Sequence, residues 1–210
     1  MNRKLSALTL GLAAAALIVT LISPVCANAR YLPLQCGQDP CFFRLSGQAL
    51  ELNFGGSRIR CPAVTGQGSF NRLNGLSVLN FQNCRERVTV FNFRCSSSVA
   101  RVGPVHTSPM GMQLKWGAEK APKIVFLGLR AKFRCAQALN FYVEGFLIGH
   151  LNRAQCNTKS SEYPIEPVLF AHGGIGNEPA YDIYVDANAK TYKVPTPWQM
   201  KFRQQVTVRC

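Results

Sequence analysis

The chain has 210 residues, with 24 Lys and Arg against 10 Asp and Glu, so its formal charge is +14. No Pro/Ser/Gly linker or charge block divides it, which argues against a second domain and leaves room for one sizeable core. A charge of this sign favours anionic partners such as nucleic acid, wall polymers or lipid head groups.

The first 29 residues read as a cleavable secretory signal. Arg3 and Lys4 supply a positive start, and no acidic residue precedes Asp39. An apolar stretch from Leu8 to Ile22 follows, then the breaker Ser23-Pro24, then the small-x-small triplet Ala27-Asn28-Ala29. A membrane anchor would need about 20 continuous apolar residues, and the run here is shorter. Lipid attachment at Cys26 would need a lipobox, which Ser23-Pro24-Val25 does not provide. The expected mature protein is a single β-rich domain over residues 30–210. It is secreted, extracellular or envelope-associated, and keeps no transmembrane anchor after cleavage.

Eight cysteines fall in that mature part: Cys36, Cys41, Cys61, Cys84, Cys95, Cys135, Cys156 and Cys210. An even number in an oxidising compartment points to disulfides. Zinc would be the competing use, but no CxxC pair occurs, and no metal or other cofactor is expected. The mature chain carries +12, unevenly spread: residues 30–159 hold 17 basic groups against 5 acidic ones. Arginines alternate with apolar residues, as in Arg58-Ile59-Arg60 and Lys132-Phe133-Arg134. The plainer reading is the solvated outer face of a strand. The sharper reading is an anion-binding set made of Arg58, Arg60, Arg85, Arg87, Arg94, Lys132 and Arg134.

Strand-like runs dominate from there. Residues 49–54 alternate, Gly55-Gly56-Ser57 supplies a turn, and Arg58–Cys61 follows. Further runs are Ser77–Phe81, Val88–Phe93, Lys123–Leu129, Ala131–Cys135, Asn140–Val143, Phe146–Ile148, Tyr181–Val185, Thr191–Val194 and Gln205–Val208. No amphipathic helix of ten or more residues stands out, so the expected fold is all-β: one disulfide-linked sandwich or flattened barrel. An internal echo suggests two related β-units packed face to face. Arg58-Ile-Arg-Cys61 and Lys132-Phe-Arg-Cys135 each end at a cysteine, and each leads through a Gly-containing strand pair to another, Cys84 or Cys156.

These elements carry a resemblance. Arg60-Cys61, Val64-Thr65-Gly66, Phe81-Gln82-Asn83-Cys84, Cys95, Phe133-Arg134-Cys135 and Gly145-Phe146-Leu147-Ile148-Gly149 resemble the pattern of a group of exported, uncharacterised β-rich actinobacterial proteins. The likeness covers about half of the chain, from Leu50 to Leu151, and none of its motifs is catalytic. It implies a four-cysteine core of Cys61, Cys84, Cys95 and Cys135. With it, the expected pairing is Cys84 with Cys95 and Cys61 with Cys135, and Cys61–Cys84 is the main competitor. Cys36–Cys41 and Cys156–Cys210 complete the set most simply.

Candidate chemistry is thin. Val168-Leu-Phe-Ala-His-Gly-Gly174 is similar to the oxyanion element of lipases, but no Gly-x-Ser-x-Gly elbow follows. A Gly-rich turn after a strand explains it better. His106 is expected in a loop, and His106, His150 and His172 show no metal-ligand spacing. Glu162 and Glu166 lie in what reads as a proline-bounded loop, Ser160 to Pro167. Asp182, Asp186 and Asn188 fail the EF-hand pattern and fit a hairpin turn at Asp186–Lys190. No RNP-like, KH-like or zinc-finger signature occurs, so a nucleic-acid partner is not expected. The expectation is therefore a non-enzymatic extracellular or cell-surface binding or structural domain, with an anionic envelope polymer as candidate partner. The alternative is a secreted hydrolase acting on envelope or extracellular polymers. It would need His150 or His172 beside a carboxylate in a cleft.

Overall fold

Apolar and polar residues alternate with period two through most of the chain, which is the pattern of a strand with one buried face. The computed structural model describes residues 31–54, 57–88, 91–98, 100, 103–117, 121–135, 140–175, 183–193 and 196–210. The expected signal segment lies outside the described residues.

Thirteen strands follow one another among the described residues. They are β1 (Leu34–Cys36), β2 (Cys41–Phe54), β3 (Ser57–Phe70), β4 (Asn74–Gln82), β5 (Arg85–Val88), β6 (Phe91–Arg94) and β7 (Val105–His106). Then come β8 (Met110–Trp116), β9 (Pro122–Arg134), β10 (Asn140–Leu151), β11 (Lys159–Ile175), β12 (Ile183–Lys193) and β13 (Trp198–Val208). Every strand-to-strand pairing is antiparallel. Eight strands close on themselves in the order β3, β2, β13, β11, β10, β9, β8, β4, because β4 pairs back onto β3. The fold is an all-β barrel, with β5 and β6 continuing outward from β3. Closure removes two sheet edges that would otherwise be open to non-native pairing.

One hydrophobic core fills the ring. Phe43 lies between Phe70 and Phe202, with centroids 6.1 and 5.7 Å away, and Tyr163 meets Phe202 edge-on at 5.9 Å. On the other side Phe81 stacks on Phe133. At Gly47 the Trp198 indole occupies the place where a side chain would stand, so only glycine admits it.

The β2–β3 hairpin sets up the candidate site. Its register is unbroken from Cys41↔Phe70 to Phe54↔Ser57. Near the ring Cys41, Phe43 and Leu45 are buried with Val64 and Phe70; towards the tip the buried set is Leu50, Leu52, Ile59 and Cys61. In a regular ladder those two sets occupy opposite faces. The projecting half therefore buries its odd β3 positions and turns Arg58 and Arg60 outwards.

Several expectations need correction. Val88–Phe93 is not one strand: β5 and β6 form a tight hairpin with Val88 opposite Phe91. Ser160–Pro167 is not a loop but part of the 17-residue β11. Its prolines sit where the strand has one neighbour only. Pro164 pairs with β13 just outside the β10 ladder, and Pro167 pairs with β10 in the gap between β13 and β12. A missing N–H can thus face an unpaired side. The Gly-rich turn at Gly173-Gly174 is likewise strand, opposite Val143 and Tyr142. Asp186–Lys190 does not reverse the chain; it lies inside β12 as an irregularity, with Asp186 opposite Gly173 and Lys190 opposite Ala171. His106 belongs to β7, not a loop, and its Nδ1 hydrogen-bonds with Asn80 Oδ1. β10 runs as one strand through a bulge at Gly145/Phe146 where two were expected. The two echoed motifs are not separate units: β3 and β9 belong to one ring, with β4 and β8 between them.

All eight cysteines among the described residues are bonded, as Cys36–Cys41, Cys61–Cys84, Cys95–Cys135 and Cys156–Cys210. The first and last match the simplest completion, whereas Cys61–Cys135 and Cys84–Cys95 do not form. The reason is register. The β3–β4 pair Ala63↔Gln82, carried two positions further, sets Cys61 against Cys84 with Cα atoms 4.0 Å apart. The bridge Ser96↔Arg134 does the same for Cys95 and Cys135. Cys84 and Cys95 are indeed neighbours, joined by a backbone hydrogen bond of 2.9 Å at the base of the β5–β6 hairpin. Each spends its sulfur on the other side. Four disulfides belong with folding in an oxidising compartment rather than a reducing cytoplasm. Among the described residues, no helix is long and apolar enough to cross a membrane.

Candidate anion-binding cleft

Where β5 and β6 extend the hairpin, three strands present one arginine-bearing face. Register pairs Arg58 with Arg87 and Arg60 with Arg85 across β3 and β5. The next ladder sets Arg85 against Arg94 and Arg87 against Asn92. Odd positions of β3 point the other way, and so does Glu86, which is buried opposite Ile59 and Phe93. The result is two rows across the strands, Arg60–Arg85–Arg94 and Arg58–Arg87–Asn92.

These residues line a cleft of about 750 Å³, a size that accommodates a small ligand. Pro62, Gln82, Asn83, Cys84, Cys95 and Gly103 complete its lining. The cysteines belong to two different bridges, which fix the floor covalently to β3 and to the end of β9. Asn83 has a positive φ of 52°, the left-handed conformation that Asn tolerates better than most residues. It joins β4 to β5 without breaking their shared ladder on β3.

Five arginines and no carboxylate line the cleft among the described residues. Among the described residues only Arg58 of the five is ion-paired: its Nε and one terminal nitrogen each lie 2.6 Å from Glu51 oxygens, on β2. That pair raises the already high pKa of Arg58 further, so the group stays charged. Like charges directly opposite one another in a sheet are destabilising, and this sheet has three such pairs in succession. An arrangement that costs stability and converges on a cavity is a mark of a binding surface. Each guanidinium presents a planar fork of donors that matches a phosphate or carboxylate bidentately.

Of the seven arginine and lysine candidates, five meet in this cleft. Lys132 and Arg134 do not line it. Lys132 lies over the Tyr142 ring at 4.7 Å, and Arg134 exchanges backbone hydrogen bonds with Ser96. Both sit on β9, separated from β3 in the ring by β8 and β4. Asn92, Gln82 and Asn83 are lining residues that the sequence reading did not single out. Asn92 was findable in principle, since it alternates with Arg94 along β6.

The other candidates sit elsewhere. His150 on β10 is half-buried, opposite Glu166 on β11 and Lys123 on β9, and His172 is opposite Glu144 in register. His150 does not line the arginine cleft or two smaller ones, and the side chain of His172 lies outside the described residues. Asp182 lies outside the described residues, and so do the side chains of Asp186 and Asn188. Among the described residues, no group of three His, Cys, Asp or Glu is placed to hold a metal ion. A second depression, of about 410 Å³ between β2 and β4, exposes Phe42 and Leu76 beside Arg44 and Arg203. Comparisons with models of protein families, with curated proteins and with solved structures each find no match.

Proposed function

We propose that this chain is an exported, non-enzymatic binding domain that holds an anionic polymer of the cell envelope or its surroundings through the arginine cleft. The carrying observation is the convergence of five arginines from three adjacent strands on one cavity whose described lining includes no carboxylate. Export rests on the residues 1–29, on the four disulfides, and on the likeness of the cysteine motifs to exported actinobacterial proteins. Binding without turnover follows from the side chains available. The described lining offers arginines, amides and bonded cysteines, with no hydroxyl, imidazole, carboxylate or free thiol to serve as nucleophile or general base.

The test is binding of a fluorescent anionic polymer, inorganic polyphosphate, to the purified mature protein across a salt series. Affinity should fall steeply as salt rises, because the bound charges release counterions. It should fall again in the triple variant Arg60→Gln, Arg85→Gln, Arg94→Gln. Equal affinity for the triple variant, or no response to salt, would overturn the proposal.

A further inference from the structure

The arginines form a grid whose spacing says more about the ligand than its sign. Steps across the strands are about 5 Å, and the two rows stand about 7 Å apart along them. The row Arg60–Arg85–Arg94 therefore spans about 10 Å across β3, β5 and β6. With Arg58 held by Glu51, which stands opposite Arg60 in register, the cations without an ion pair among the described residues are those three and Arg87. A single small anion can bridge two neighbouring guanidiniums and leaves the others repelling. Only a ligand with several charges strung along it answers the row of three and Arg87 beside it.

The lining also says what such a ligand lacks. No Phe, Tyr or Trp lines the cleft among the described residues. The nearby aromatics, Phe91 and Phe93, alternate with Asn92 and Arg94 along β6 and so take the opposite face, where they stack on each other at 6.2 Å. Proteins that hold single-stranded nucleic acid add aromatic platforms on which bases stack. This cleft offers forks for oxyanions and no ring for a base or sugar. We infer that its ligand is a linear phosphate chain without bases, of the polyphosphate or poly(polyol phosphate) type, laid across the three strands and engaging about four charges. This inference rests on the anion-binding reading.

Titration calorimetry with orthophosphate, pyrophosphate, tripolyphosphate, tetrapolyphosphate and poly(glycerol phosphate) tests it, beside oligo-dT and poly-glutamate of equal charge. Affinity should climb at each added phosphate up to about four and then level, with a log–log salt slope near −2.8 for four contacts. Poly(glycerol phosphate) matching or exceeding tetrapolyphosphate would assign the ester-linked source, and the reverse the inorganic one. Oligo-dT and poly-glutamate should bind at least tenfold more weakly. Arg85→Gln should flatten the dependence on chain length, whereas Arg153→Gln, at an exposed position in the short turn after β10, should leave it intact. Orthophosphate binding as tightly as tetrapolyphosphate would overturn the inference and leave the anion-binding reading standing. Equal binding of oligo-dT or poly-glutamate would do the same. Binding of none of these ligands would overturn both.

Discussion

Arg85 sits between two other arginines, Arg60 on one side and Arg94 on the other, and its removal should make the unliganded protein more stable. At a guanidinium separation of about 6 Å in a water-like dielectric, each repulsion is worth ~0.7 kcal/mol. Losing both should stabilise the fold by roughly 1.4 kcal/mol at low ionic strength. Domains of this length convert 1 kcal/mol into about 2–4 °C, so Tm should rise by about 3–6 °C for Arg85→Gln. Glutamine keeps much of the aliphatic stem, so the change reports charge more than packing. At 1 M salt the screening length shrinks to about 3 Å and the gain should fall to a few tenths of a kcal/mol. Differential scanning calorimetry at 10 mM and 1 M NaCl reads both quantities. The same variant should bind polyphosphate less tightly, so stability and binding move in opposite directions. An Arg85→Gln protein that is less stable at low salt would refute the reasoning, because Arg85 would then be held by favourable contacts and not strained for a ligand.

Other outcomes follow from the packing. Replacing both members of a disulfide by alanine should cost more for longer loops: about 2 kcal/mol for Cys36–Cys41 and about 4 kcal/mol for Cys156–Cys210, which are 5 and 54 positions apart, measured by denaturant unfolding. Gly47→Val should expel the Trp198 indole from its place, costing about 1–3 kcal/mol and shifting tryptophan emission to longer wavelength. Tyr163 is buried, and its hydroxyl donates to the carbonyls of Thr158 and Val206. Burial holds its phenol above the ordinary value of 10.0. The unfolded chain therefore releases this proton first, and the contribution to stability is complete below pH 10 and is lost as pH rises towards the folded-state pKa. Tyr163→Phe should be less stable by about 1 kcal/mol at neutral pH and should lose part of the alkaline decline, followed by unfolding between pH 8 and pH 12.

The outward arginines were legible because strand alternation is local: Arg58-Ile59-Arg60-Cys61 states its own two faces. So was the all-β class, since Gly and Pro interrupt every run that might have been helical. The cleft itself was not legible, because its third wall depends on β5 and β6 being two antiparallel strands, with Val88 opposite Phe91, inside a run that alternates as a single strand would. Chain closure was hidden for a related reason. β2 and β13 pair Phe43 with Phe202, and no local pattern fixes a register between segments so far apart in sequence. β8 shows the opposite case, for Met110, Met112 and Leu114 alternate with polar or small residues and could have been read as a strand. The prolines of β11 misled because a proline marks an unpaired side only once the neighbours are known. The pairing of the four core cysteines failed on the same ground: Cys61–Cys84 follows at once from the β3–β4 register, whereas motif similarity drew Cys61 towards Cys135. Lys132 and Arg134 entered the arginine set on strand alternation alone, which says nothing of which strands are neighbours, and β4 and β8 stand between β3 and β9.

The central claim is that Arg60, Arg85, Arg87 and Arg94 act together on one anionic ligand. The most direct measurement is an NMR titration that follows the side-chain Nε–Hε resonances of individual arginines as tripolyphosphate is added. The expected result is that these four shift along a common saturation curve while Arg153 and Arg203 stay in place. Shifts spread evenly over all exposed arginines, or gathered on any other face, would contradict it.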